Sequence, residues 1–367
     1  MSKRLFGLVI SGALLFVIGL LMVFNTTSAE MIDRAQTSGH HAPLLKQMAY
    51  GCIGIVGGLC LYRIGYQRVI ALSWPLLILV TILLVAIFIP GVGQSINGSR
   101  RWLSIFGYSF QPSEALKIVL PAVYIRWYIS RTQEVGWREL LLFLAKVFVP
   151  IGLILIEPDH GTPALLFTLI VALCWLTQIR MIFWALPLAV CLVLGAFSAY
   201  QLPYVRNRIE IYLHPELDLL GKGHQPHQAK IAAGSGGVLG RGLGQSLQKM
   251  NYLPEARSDY IAAIYAEEMG FIGMLGLIAL YALFALSGFT IALQCPDRAG
   301  FWFAAALTFL ISIQAFLNLG IVSGLLPSKG MTLPFFSQGG SSLIVNMGAL
   351  ALLCDIGRQT RASNLSV

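Results

Sequence analysis

Three carboxylates, Asp159, Glu255 and Asp259, and five cations, Arg100, Arg101, Lys249, Arg257 and Lys329, lie in short polar segments that also carry closely spaced glycines. The segments are Arg100-Arg101-Trp102, Gln111-Pro112-Ser113-Glu114, Glu157-Pro158-Asp159-His160-Gly161-Thr162, Tyr252-Leu253-Pro254-Glu255 with Asp259, and Lys329-Gly330 followed by Gly339-Gly340-Ser341-Ser342. Brought together, such groups suit a lipid-linked phosphate donor. A carboxylate would take a proton from an attacking sugar hydroxyl, while cations or a divalent ion held by carboxylates would neutralise a leaving diphosphate. Residue types alone leave other chemistries open. Structural readings stand beside this one. Pro158 and Gly161 punctuate an interhelical turn in which Asp159 or Thr162 caps the next helix, and Glu114 and Lys117, three apart, can pair on one helix face.

Other constellations carry less. The run Gly234-Ser235-Gly236-Gly237-Val238-Leu239-Gly240-Arg241-Gly242-Leu243-Gly244 has the glycine density of a phosphate-cradling loop, but lacks the Gly-Lys-Ser/Thr ending and a preceding strand. Its glycines would still let amides approach an anion or let the loop lie flat on a membrane. His160, His214, His224 and His227 show no metal spacing near a third ligand. The six cysteines lie in or beside apolar runs, so neither a disulfide nor a metal–thiolate site is expected. Glu267 and Glu268 read as acids favouring a helix start, and Lys146 as a snorkelling side chain with no assigned role.

The elements that must position these residues are membrane helices. The chain is 57% hydrophobic and only 11% charged, with mean hydropathy +0.75, whereas an ordinary soluble domain is about 25% charged. A soluble enzyme is excluded. About ten apolar runs approach the roughly 20 residues that cross a bilayer: Leu5 to Phe24, Gln47 to Leu61, Val69 to Ile89, Ala115 to Ile129, Leu140 to Ile156, Pro163 to Leu176, Met181 to Tyr200, Ile261 to Ala292, Phe301 to Leu325 and Ser341 to Leu353. The first is read as an uncleaved helix, because its apolar core exceeds that of a signal peptide. The net charge of +9 comes from Lys and Arg between the runs, where they orient helices and meet anionic lipid. Nucleic acid is not expected as a partner. Basic residues in short loops favour an N-in, C-in orientation, which puts the polar segment Gln201 to Tyr260 outside. The expectation is an all-α polytopic integral membrane protein with about ten transmembrane helices. It forms one membrane domain, 1–367, with a large extracytoplasmic loop, 201–260, between helices 7 and 8.

In this order, the motifs resemble the SEDS (shape, elongation, division and sporulation) family. The match rests on Arg101-Trp102-Leu103, Phe110-Gln111-Pro112-Ser113-Glu114, Glu157-Pro158-Asp159-His160-Gly161-Thr162 and Tyr252-Leu253-Pro254-Glu255-Ala256-Arg257-Ser258-Asp259-Tyr260. It continues through Glu267-Glu268-Met269-Gly270 and Gly324-Leu325-Leu326-Pro327-Ser328-Lys329-Gly330-Met331-Thr332-Leu333-Pro334-Phe335 with Gly339-Gly340-Ser341-Ser342. Lys329 and Thr332, with Gln245-Ser246-Leu247-Gln248-Lys249, resemble the division branch (FtsW) more than the elongation branch (RodA).

The resemblance implies a peptidoglycan glycosyltransferase that polymerises lipid II during septal cell-wall synthesis. Implied partners are lipid II, a class B penicillin-binding protein acting as transpeptidase, and other divisome proteins. The implied location is the bacterial inner (cytoplasmic) membrane, with both termini cytoplasmic, at the division septum. Asp259 matches the family's essential acid, as base for the acceptor hydroxyl or as holder of a divalent cation (Mg or Mn); no organic cofactor is implied. Arg101, Glu114, Lys117, Asp159, Lys329, Gly339, Gly340 and Ser341 match positions around the substrate cavity. Two departures stand out: Arg257-Ser258-Asp259-Tyr260 replaces His-Thr-Asp-Phe, and Gln338 replaces a tyrosine. Competing readings are a lipid II flippase, a RodA-type elongation polymerase and a non-catalytic scaffold for the penicillin-binding protein.

Overall fold

The computed structural model describes residues 3–34, 42–96, 99–105, 107–131, 134–157, 159, 161–186, 188–189, 193, 210, 212, 223–249, 256–327 and 330–365. Its elements are α1 (Lys3–Arg34), α2 (Ala42–Ile64), α3 (Tyr66–Ala71), α4 (Ser73–Ile87), β1 (Gly93–Ile96), β2 (Ser99–Ile105), β3 (Tyr108–Phe110), α5 (Pro112–Ile129), α6 (Trp137–Ile156), α7 (Gly161–Leu176), α8 (His224–Ser235), α9 (Ile261–Gln294), α10 (Arg298–Val322) and α11 (Gly340–Leu365). Six of them, α1, α2, α6, α9, α10 and α11, are long and apolar enough to cross a membrane, and α4 and α7 are shorter apolar helices. The charged α5, with Glu114, Lys117 and Arg126, is buried along most of its length. These helices cover nine of the ten apolar runs; most of Met181 to Tyr200 lies outside the described residues.

Water is absent from the bilayer core, so backbone groups must pair within the segment, and helices are the open-chain solution. Their association then depends on close packing and internal polar contacts. The most extensive contacts join α2 to α11, α9 to α10 and α1 to α9. Gly54 and Gly58 bring α2 against α11: a Cβ on Gly58 would lie 3.2 Å from the Met347 carbonyl oxygen and 3.3 Å from Ala351 Cβ. Leu8, Leu15 and Val23 of α1 are fully buried, so the first helix is part of the bundle core.

Two features depart from the plain helical reading. Strands β1, β2 and β3 form a three-stranded antiparallel sheet, in which Gly93 pairs with Leu103 and Leu103 with Phe110. It sets Arg101 and Trp102 beside the start of α5. The second is a break in α9 at Gly270, with φ 64° and ψ −164°. In an unbroken helix the amides of Phe271 and Ile272 would donate to the carbonyls of Glu267 and Glu268. They donate to Gly237 O (2.9 Å) and Val238 O (3.2 Å), while Glu267 O and Glu268 O accept from Arg241 N and Gly242 N, both at 3.0 Å. The glycine-rich segment is therefore spliced into the helix ladder, leaving none of the four α9 groups unpaired. Only glycine permits it: a Cβ on Gly240 or Gly270 would collide with the opposing backbone.

Candidate active site

A cavity of about 330 Å³ opens where α5, α7, α10 and α11 meet the small sheet and the turn before α9. Arg101, Glu114, Lys117, Asp159, Asp259, Gly339, Gly340 and Ser341, separated by up to 240 positions in sequence, all line it. Lys329 and Glu255 lie outside the described residues, as do His160 and His214.

Asp259 sits in the turn 256–260, partly exposed, just ahead of α9. The turn is held by Asn318 of α10, whose Nδ2 donates to the Asp259 carbonyl at 2.9 Å and to Met331 O at 2.6 Å. The Gln338 amide adds a bond to Arg257 O at 3.0 Å. The carboxylate abuts Gly330, where a Cβ would stand 3.0 Å from Oδ2. The Asp259 backbone and the segment at Met331 beside it are thus both held by α10.

Glu114 and Lys117 fall on one face of α5, as their spacing predicts. Lys117 Nζ donates to Glu114 Oε1 at 2.8 Å and Oε2 at 2.7 Å, and to Gln314 Oε1 at 2.9 Å. Gln314 Nε2 continues to the Thr332 carbonyl at 2.8 Å, and Thr332 Oγ1 meets Ser342 Oγ at 3.0 Å. A charged side chain within a span costs about 2.5 to 3.5 kcal/mol on insertion scales. Here the two charges cancel locally and both face the polar cavity. Gln314 and Asn318, one turn apart on α10 and almost fully buried, were missed by a reading confined to ionisable residues. The signal was present: two amides at helical spacing inside an apolar run.

Asp159 plays the capping role open to it in sequence. Its Oδ1 accepts from Gly161 N (2.9 Å) and Thr162 N (3.2 Å), and its Oδ2 from Thr162 Oγ1 (2.9 Å), at the start of α7. It lines the cavity as well, so capping and cavity charge are combined in one side chain. Arg101 Nε donates to the Glu157 carbonyl at 3.0 Å, which anchors the arginine to the end of α6. Ser341 Oγ accepts from Gln111 N at 2.8 Å, tying the first turn of α11 to β3 and α5. Gly340 packs under the Tyr50 ring so closely that a Cβ would fall inside it.

Glu157 is a further polar group of this region. It is 1% exposed, and neither carboxyl oxygen has a hydrogen-bond partner among the described residues. Burial pushes its pKa up to about 8, the nearby Asp159 charge adds to the rise, and Arg101 partly offsets it. The group is therefore largely neutral at pH 7.

Two sequence readings change. Lys249, grouped with the cavity cations, is buried elsewhere: its Nζ donates to Glu268 Oε1 at 2.9 Å and Asn25 Oδ1 at 2.8 Å. Glu267 and Glu268 are not acids at an exposed helix start. They are 1% exposed and bind the segment 246–249, Glu267 through Ser246 Oγ and the amides of Leu247 and Gln248. Lys146 Nζ stands 5.7 Å from the Trp74 ring centre, a cation–π contact.

A bundle with six helices long and apolar enough to cross a membrane is a multi-pass membrane protein. The chain belongs to the FtsW/RodA/SpoVE family, described as cell cycle proteins, whose model matches residues 6–362. It is 34% identical to a probable peptidoglycan glycosyltransferase FtsW of Trichlorobacter lovleyi, over 95% of this chain and 91% of the relative. It is 35% identical to the stage V sporulation protein E of Bacillus subtilis, over 96% and 97%. Among solved structures, a chain of a peptidoglycan synthase complex that coordinates polymerization and crosslinking matches with TM-score 0.79 and 25% identity, over 97% of this chain and 98% of that one.

Proposed function

We propose that the protein is a peptidoglycan glycosyltransferase that polymerises lipid II during septal wall synthesis. The observation that carries this is the convergence of Asp259, Arg101, the Glu114–Lys117 pair and Asp159 on one cavity. The relatives named as FtsW support the septal assignment, as do Lys329 and Thr332 in the sequence. In this reading Asp259 takes the proton of the acceptor 4-hydroxyl as its oxygen attacks the donor anomeric carbon. The bond from that carbon to the diphosphate oxygen breaks with inversion, and its electron pair leaves on the undecaprenyl diphosphate. Arg101 and Lys117 supply positive charge where that leaving group develops negative charge.

Among the described residues no three His, Cys, Asp or Glu side chains converge closely enough to hold a metal ion. Mg²⁺ or Mn²⁺ would therefore rest on Asp259 and on the substrate's own phosphate oxygens, and when bound would neutralise the leaving diphosphate. The partner is a class B penicillin-binding protein within the division machinery, a reading supported by the synthase-complex neighbour. The location is the cytoplasmic membrane at the septum, with both termini cytoplasmic.

The test is polymerisation of labelled lipid II by the purified protein, with its cognate class B penicillin-binding protein and Mg²⁺ or Mn²⁺. Glycan ladders from wild type that vanish in Asp259→Ala support the reading. Folded wild type that makes no ladders under these conditions overturns the enzyme, and ladders of equal strength from the variant overturn the site.

A further inference from the structure

The glycine-rich segment 236–247 docks at the α9 break, and its side chains divide sharply. Every described charge beneath it is enclosed: Glu267, Glu268 and Lys249 are at most 8% exposed and bonded to one another's surroundings. Its apolar side chains point the other way. Val238 is 64% exposed, Leu239 79%, Leu243 69% and Leu247 57%. The only charged residue in the segment, Arg241, turns back to Glu267 at 3.5 Å.

The break also divides α9. Residues 261–268 are buried on all sides, whereas Phe271, Ile272, Leu275 and Ile278 are each about half exposed. The portion after Gly270, residues 271–294, is about 36 Å long at the helical rise of about 1.5 Å, enough to cross a hydrocarbon core of about 30 Å unaided. With 271–294 spanning the core, Gly270 falls at its boundary, and the docked segment, bonded to α9 there, lies level with it. The exposed leucines continue the lipid-facing surface of α9 around that boundary. A backbone at this depth gains from having its polar groups paired, and the exchange of bonds with α9 pairs four of them.

We infer that segment 236–247 is a membrane-interface anchor that immerses Val238, Leu239, Leu243 and Leu247 in the outer leaflet of the bilayer. Apolar side chains at such a boundary bind by the area they bury among headgroups and acyl chains. The anchor fixes the height of the segment leading to Asp259 relative to the headgroup layer, where a lipid-linked diphosphate resides. The inference rests on the outward orientation proposed above.

The full chain, carrying p-benzoylphenylalanine in place of Leu239 or Leu243, is reconstituted in vesicles of phosphatidylethanolamine and phosphatidylglycerol and irradiated. The same substitution at lipid-facing Leu275 and at exposed Arg100 of β2 sets the two limits. Phospholipid adducts at 239 and 243 should match the yield at 275 and exceed that at 100 by at least about fivefold. Adducts no more frequent than at position 100 overturn the anchor. So does crosslinking to a co-reconstituted penicillin-binding protein in place of phospholipid. Adduct formation needs no glycan synthesis, so this result and the polymerisation result fail independently.

Discussion

Two buried lysine–glutamate pairs in this molecule have nearly the same closest approach and different surroundings. Lys117–Glu114 measures 2.7 Å with side chains 5% and 8% exposed; Lys249–Glu268 measures 2.9 Å with 6% and 0%. The first opens onto the cavity that holds Asp259 and Arg101. The second is closed over by Asn25, Ser246 and the backbone of the docked segment. Breaking a sealed pair leaves an uncompensated charge and costs about 3 to 5 kcal/mol. Beside a polar cavity, water can replace the lost partner at lower cost. The same chemistry is thus spent on reactivity in one place and on fixing a loop in the other.

The largest effect is expected away from both pairs. Asp259→Asn keeps the size of the side chain but cannot accept the acceptor proton, and should lower polymerisation by about 10² to 10⁴-fold with an unchanged melting temperature. A melting loss as large as the activity loss would count against a catalytic role. Next, Lys117→Met should lower polymerisation by about 10²-fold or more and melt within a few degrees of wild type. Lys249→Met should instead lower the melting temperature by several degrees, the consequence of leaving Glu268 unpaired. Its rate per folded molecule should stay near that of wild type.

A pH-dependent effect, invisible near pH 4, concerns Glu157. Its carboxyl titrates at about 8 in the fold against roughly 4.3 in an unfolded chain. Between those values the folded state holds the extra proton, so the stability it contributes is complete below the unfolded value and is lost as pH rises through about 8. Glu157→Gln should therefore melt like wild type near pH 4 and above it at pH 9, the gap opening across that range. Parallel melting curves at both pH values would mean that Glu157 is not held neutral by its surroundings.

Much of this was legible in the sequence, for a physical reason. Ionisable groups are expensive in apolar spans, so Glu114 and Lys117 announced themselves, Asp159 stood out in a polar turn between two runs, and the cavity gathers all three with Asp259. The helices followed from run length. What was not legible shares another cause: apolar periodicity runs straight through Gly270, so α9 reads as one helix, although the bonds that break it come from residues more than 25 positions earlier. Glu267 and Glu268 could not be told from helix-start acids without that segment. Strands β1 and β3 are too short to show alternation, and the apolar residues of β2, Trp102, Leu103 and Ile105, do not alternate. Gln314 and Asn318 carry no charge, and a search for charges passed over them.

The open pair serves chemistry and the sealed pair serves the fold. The direct measurement is polymerisation rate and thermal melting on the same preparations of Lys117→Met and Lys249→Met. The prediction is a crossed pattern: Lys117→Met stays folded and loses its rate, while Lys249→Met loses stability and keeps its rate per folded molecule. The reverse pattern, or equal losses of both quantities in both variants, would contradict it.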